Sequence, residues 1–376
     1  MALVLSHQRT VVPLRETFRT AIRSTDVVDA IRIEISASND AAHIGIGYAT
    51  ATPLITGDTL DSIEAHLDGP VAELLSSESI GSSQSWEKIG QRLAELAPRS
   101  PSGTAGVDLA LYDLRMRQGG GATGSIAVAT SVTISAGSAD EMAASSISRL
   151  NAGFRIMKCK LGVDPSGDAA RIRVVWRALM EHEPNARLWV DANQGWTVKE
   201  TLQFVDSAFA AGVEIERLEQ PIAAADFDGL AEVCRRIPMP LVADESAKTL
   251  ADIDRIADSG AAEFINVKFM KSGGRLGAMR AVDRARRHNL GVLVGSMMEH
   301  PQSVAAAVRF ATVLSEPVHD LDAGWWARDT RPLIYERGTV RVTTDVTALS
   351  LDAPPLNVRP LNVRPLDEAP AGGRQG

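Results

Sequence analysis

Cysteine is almost absent: Cys159 and Cys234 are the only two in 376 residues. That excludes a disulfide scaffold and leaves too few thiolates for a structural zinc site. A basic excess is also missing, with 39 Lys and Arg against 47 Asp and Glu and a net charge of −8. Neither nucleic acid nor an anionic bilayer is therefore an expected partner. Arg284, Arg286 and Arg287 form the densest basic cluster, and it reads as the solvated face of an outer helix. The opening MALVLSHQRTVVPL breaks its apolar stretch at His7, Gln8 and Arg9. It resembles neither a secretion signal nor a membrane span, so a cytoplasmic location is expected.

The chain is long enough for one ordinary domain and a second of modest size, and 45% apolar residues suit a buried core. Residues 28–37 alternate as a strand, and GIGYATATP after Ala42 reads as its partner across a turn at Asn39 and Asp40. Ile63 to Leu74, Trp86 to Leu96 and 104–117 read as helices, the last stopping at Gly119-Gly120. Residues 1–122 are thus expected to be an α+β domain. From Ile126 the texture changes to apolar strands alternating with amphipathic helices. Seven strand candidates run from SIAVATSVTI to GVLVGSMME, and VLSEPVHDLDAG supplies an eighth. Eight strands with repeats of about 25 residues favour a closed α/β barrel over 123–324, with a doubly wound open sheet as the alternative. LIYERGTVRVT is expected to return as a strand to the N-terminal domain, within a segment spanning 325–366. The duplication NVRPLNVRPLD reads as an extended surface segment before a flexible 367–376 tail.

Polar residues recur near the ends of these strands: Lys158 and Lys160, Asp191, Glu219, Asp244, Lys268, then Asp320 and Asp322. From Lys160 to Lys268 the steps are 31, 28, 25 and 24 residues, about one strand, one helix and two loops each. Asp191, Glu219 and Asp244 would converge on one barrel rim. All-oxygen ligands without histidine or cysteine suit Mg2+, with Mn2+ possible, better than zinc. The competing reading, carboxylates that merely cap helices, is weakened by three occurrences in consecutive units. Alternation sends Lys158 and Lys160 to one side of their strand and Cys159 to the other. Lys268 lies nearly opposite. Two lysines across a metal site could remove and return one proton, a neighbouring cation lowering the pKa of the base; binding an anionic group is the alternative.

The motifs KCK at 158–160, VDAN around Asp191, ERLEQP around Glu219, ADES around Asp244 and NVKFMKSGG around Lys268 together resemble the enolase superfamily, in its muconate-lactonizing-enzyme subgroup. The resemblance runs from about residue 4 to 345. It implies a (β/α)7β TIM-like barrel with an α+β cap, and Mg2+ held by Asp191, Glu219 and Asp244. It also implies Lys160 and Lys268 as acid and base, Lys158 as an auxiliary cation, a small-molecule substrate, and a homo-oligomer, dimer or octamer. Asp320 and Asp322 are similar to the Asp-x-Asp pair with which dipeptide epimerases hold a free amino terminus; a plain loop turn is the alternative. SVTI at 131–134 and GSMME at 295–299 add Thr133, Ser135, Ser296 and Met297 as substrate-positioning candidates, with Glu299 facing the mouth. The segment 17–26 is expected to close over the site, its Arg19 and Arg23 available to a distal carboxylate. Trp325 and Trp326 either line the pocket or seal barrel to cap. The expected activity is a dipeptide epimerase working by 1,1-proton transfer through an enediolate. The alternative is a racemase, epimerase or dehydratase of another amino-acid, proline or betaine derivative.

Overall fold

The computed structural model describes residues 2–38, 40–119 and 125–342. Asn39 of the expected turn, Gly120 and the duplicated tail with the 367–376 segment lie outside the described residues.

Three antiparallel strands open the chain, β1 (Leu3–Arg19), β2 (Ser24–Ala37) and β3 (Asp40–Thr50), in the order β1-β2-β3. Alternation in β2 places Ile31, Ile33 and Ile35 on one wholly buried face. The helix Pro101–Gly119 packs against that sheet so closely that a Cβ on Gly47 would come 2.0 Å from the Gly106 carbonyl oxygen. Glycine is required at this crossing. The helix expected over 63–74 is instead interrupted by a π turn, Leu67–Val71, containing Pro70, whose missing N–H breaks the α ladder.

Seven parallel strands follow, paired in sequence order: β5 (Val132–Ile134), β6 (Ile156–Lys160), β7 (Arg187–Asp191), β8 (Arg217–Glu219), β9 (Leu241–Ala243), β10 (Phe264–Val267) and β11 (Gly291–Val294). Preceding β5, the strand β4 (Ile126–Thr130) pairs in parallel with β12 (Val318–His319). A parallel bridge from Gly295 to Asp320 and the Ser131 N–H donating to the His319 carbonyl at 2.9 Å join this pair to both ends of the curled sheet. Inward-facing Ile156, Trp189, Val242, Phe264, Leu293 and Val318 fill the barrel floor. The Arg217 guanidinium lies 5.0 Å from the Trp189 ring and 4.4 Å from that of Phe264. Met157 and Cys159 point outward into the helix-facing core, leaving Lys158 and Lys160 for the interior.

The C-terminal hairpin departs from expectation. β13 (Leu333–Glu336) and β14 (Thr339–Val342) pair with each other, and β14 pairs antiparallel with β4 of the barrel end, not with the three-stranded sheet. The preceding turn does reach the cap, through a Leu14–Ala327 bridge and the Arg328 N–H donating to Pro13. No described helix is long and apolar enough to cross a membrane.

Candidate active site

Strand register builds the site. Lys160 stands opposite Asp191, and Asp191 opposite Glu219, on successive parallel strands. Asp244 and Lys268 follow directly at the ends of β9 and β10. Asp320 and Asp322 follow β12. β6 and β10 are separated by three strands in the sheet, so Lys160 and Lys268 face each other across the barrel mouth.

Ammonium groups interleave the carboxylates. Lys158 Nζ lies 2.7 Å from Asp320, 2.8 Å from Glu219 and 3.1 Å from Asp191, with its side chain 1% exposed. Lys160 Nζ donates to Asp191 at 2.6 Å, and Lys268 Nζ to Asp244 at 2.6 Å. Lys271 donates to Asp244 Oδ1 as well. Among the described residues no three carboxylate, imidazole or thiolate groups stand together at metal-binding spacing.

Six buried carboxylates, Asp191, Glu219, Asp244, Glu245, Asp320 and Asp322, nevertheless face four ammonium groups, Lys158, Lys160, Lys268 and Lys271. The deficit shows in the titration of the set. Burial, with Asp191, Asp244 and Asp320 adding to it against Lys158, pushes Glu219 up to about 8. Glu245 is pushed up to about 7 by burial and by Asp244 and Asp191. Burial would raise Asp191 too, but Lys160 and Lys158 outweigh it and bring it to about 2. The all-oxygen donor set and the shortfall of positive charge both fit a divalent hard cation. Lys268 departs from the lowered pKa expected of a base. Burial acts downward, yet the Asp244, Glu219 and Asp320 carboxylates together more than offset it and raise the ammonium above its ordinary value.

A cavity of about 130 Å3 opens over this rim. Lys160, Lys268, Asp244, Asp320, Asp322, Thr133, Ser296 and Met297 line it from the barrel. The cap supplies Phe18, Ile22 and Arg23 from the β1–β2 turn and residues 52–55 from the loop after β3. Lys158, Asp191 and Glu219 lie beneath the lining. Asp322 Oδ2 accepts the Thr133 N–H at 2.7 Å and the Trp326 indole N–H at 3.1 Å, which fixes the carboxylate at the cavity wall.

Three expected contacts fall elsewhere. Ser135 does not line the cavity; its hydroxyl accepts the Arg19 N–H at 2.7 Å and so ties the end of β1 to the barrel. Arg19 sits in a separate outer groove with Glu141, because the alternation of β1 turns it away from the buried Phe18. Glu299 is buried, with Oε1 accepting the Met297 N–H at 3.1 Å, and is absent from the lining. Trp325 and Trp326 stay off the main cavity as well. Trp326 packs edge-on to Phe18 with centroids 5.0 Å apart, and Trp325 packs on Phe154 at 5.2 Å. They are the seal between barrel and cap. Sequence reasoning passed over Glu245, Asn193 and Lys271. The first directly follows Asp244 and the last lies three residues past Lys268, so the signal was inside motifs already singled out.

A capped parallel barrel with lysines and carboxylates at its strand ends has the architecture of the enolase-type enzymes. The family model described as enolase C-terminal domain-like matches residues 141–346, and the chain belongs to that family. An L-Ala-D/L-Glu epimerase of Clostridium acetobutylicum is 33% identical over 306 residues, covering 80% of this chain and 83% of the relative. The substrate-liganded L-Ala-D/L-Glu epimerase of Bacillus subtilis superimposes with a TM-score of 0.83 at 30% identity, over 91% of this chain and 96% of the other. A dipeptide epimerase of Methylococcus capsulatus, complexed with Mg and L-Arg-D-Lys, gives 0.78 at 29% identity, over 92% and 98%.

Proposed function

We propose that this protein is an Mg2+-dependent dipeptide epimerase that inverts one α-carbon by 1,1-proton transfer. The observation that carries the reading is a pair of lysines, Lys160 and Lys268, facing each other across a cavity whose far strand ends carry Asp320 and Asp322. Asp191, Glu219 and Asp244 would hold the cation, Mn2+ substituting. When bound, it would supply electrostatic stabilisation for negative charge developing on the substrate carboxylate.

The chain's own groups would do the rest. One lysine, as the free amine, takes the α-proton at Nζ, and the other, as ammonium, returns a proton from the opposite face. Exchanging these roles runs the reaction backward. Lys158, buried among Asp191, Glu219 and Asp320, keeps its charge and orients those carboxylates. Asp322 and Asp320 accept the substrate's free ammonium, an attraction that an N-acylated substrate cannot make. Thr133, Ser296 and Met297 shape the wall. The β1–β2 turn, docked by Ser135, covers the site and excludes water.

Arg23 supports an acidic side chain on the epimerised residue: its guanidinium lines the cavity over the Phe18 ring at 5.6 Å, and burial lowers its pKa. An anionic partner would relieve that cost. A proline or betaine derivative would call for aromatic walls such as indoles in the pocket, and Trp326 and Trp325 pack on Phe18 and Phe154 instead. A homo-oligomer is also proposed, to be checked by light scattering. Incubating a library of L,L-dipeptides with protein and Mg2+ in D2O tests the assignment by mass spectrometry. Single-deuterium incorporation with inversion, greatest for acidic second residues, is expected; no exchange in any dipeptide would refute it.

A further inference from the structure

Lys271 has no role in the proton transfer described above, yet it is more completely engaged than either lysine that has. Its ammonium donates to the Asp244 backbone carbonyl at 2.6 Å, to Asp244 Oδ1, and to the Asn266 carbonyl at 2.9 Å. Three donors meet three acceptors, with the side chain 1% exposed. No hydrogen remains for substrate. The acceptors lie on both sides of a strand junction, since Asp244 directly follows β9 and Asn266 belongs to β10, the strand that delivers Lys268.

We infer that Lys271 is a positioning residue, a fixed clamp that ties Asp244 to the neighbouring strand β10 and so holds its carboxylate in place; the inference rests on the reading of Asp244 as a cation ligand. Asp244 has two ammonium partners, Lys268 on Oδ2 and Lys271 on Oδ1. Lys271 alone adds bonds to the Asp244 and Asn266 backbone carbonyls, so it fixes the main chain that carries the carboxylate as well as the carboxylate itself. Its spacing follows from local structure. The short helical turn Phe269–Ser272 begins at Lys268, and the Lys271 N–H donates to the Lys268 carbonyl at 3.0 Å, bringing position 271 back beneath position 268.

The cap braces the same turn. Gly273 and Gly274 follow with φ of 72° and 99°, a region glycine adopts without penalty. A Cβ on Gly273 would fall 2.4 Å from the Ala97 Cβ, and one on Gly274 2.7 Å from that of Asp108. The Asp108 carboxylate accepts the Arg275 N–H at 2.8 Å. The clamp is therefore held from behind by the helix Pro101–Gly119.

Losing a group that orients a metal ligand typically costs 10–100-fold in metal affinity. Mg2+ titration calorimetry on the full chain should show that loss for Lys271→Met and a smaller one for Lys271→Arg, which keeps the charge and donors. At saturating Mg2+, Lys271→Met should lower kcat for α-proton exchange in D2O more than it raises KM, because no substrate contact is removed. Circular dichroism establishes that each variant is folded; if Lys271→Met is not, the comparison of Lys271→Arg with wild type decides. Mg2+ affinity and kcat both unchanged in a folded variant would overturn the inference. Absence of Mg2+ binding or exchange in the wild-type protein would instead overturn the proposed function.

Discussion

Chelating divalent ions and moving from pH 5 to pH 8 should destabilise the fold in a way that Mg2+ reverses. Glu219 is the reason. Its folded pKa of about 8 lies above the ordinary 4.5, so its contribution is complete below pH 4.5 and is lost as pH rises through 8. Between pH 5 and 8 the unfolded chain has released this proton while the folded chain keeps it, which lowers stability across the window by on the order of a few kcal/mol. Asp191 acts oppositely, but its lowered pKa gives stability that disappears only as pH falls below 3.8 toward 2, outside the window. Glu245 and Glu299, pushed up to about 7 and about 8, add slope of the same sign as Glu219. A cation held, as proposed, by Asp191, Glu219 and Asp244 would take the place of the Glu219 proton. At a hundred times its Kd it should also stabilise the fold by about 2.7 kcal/mol. Urea denaturation at pH 5, 6, 7 and 8, in EDTA and in Mg2+, reads both effects. Stability should fall more steeply in EDTA, and Glu219→Gln should remove most of the difference. Parallel curves with and without Mg2+ would refute the reasoning.

Replacing Asp322 by Asn should lower kcat/KM for free-amine dipeptides by about 10–100-fold, the worth of a charge-assisted hydrogen bond, while leaving N-acetylated ones at their low wild-type rate; equal losses on both would argue against ammonium recognition. Arg23→Leu should cost acidic dipeptides about 10-fold or more in kcat/KM and spare neutral ones, as a substrate panel would show. Trp326→Ala removes a buried indole and its bond to Asp322, so thermal denaturation should report a loss of about 3–5 kcal/mol together with a raised KM.

The ladder from Lys160 to Lys268 is legible in sequence because a βα unit has a fixed length and strand ends share one rim. Lys158, Cys159 and Lys160 divide between interior and exterior as alternation requires. Other features depend on which surface a segment meets. The long strand Leu3–Arg19 is interrupted by Pro13 and by the adjacent charges Arg15 and Glu16, so its period is obscured, and its end reads as a lid alone. The hairpin 333–342 alternates well, but nothing local says that its second strand pairs with Ile126–Ala129 in preference to the cap. Arg19 and Arg23 look equivalent in sequence; the turn bonded from the Thr20 N–H to the Arg23 carbonyl puts only the second over the cavity. The Trp325-Trp326 pair is ambiguous for the same reason, since Phe18 and Phe154, which receive the rings, lie far away in the chain.

The most direct test of the central claim is α-proton exchange in D2O, with Mg2+ present, for both epimers of one dipeptide substrate and the variants Lys160→Ala and Lys268→Ala. Each variant should lose epimerisation, and each should retain exchange with only one epimer, the two variants retaining opposite ones. Wild-type exchange with both epimers in either variant would contradict a mechanism built on two opposed lysines.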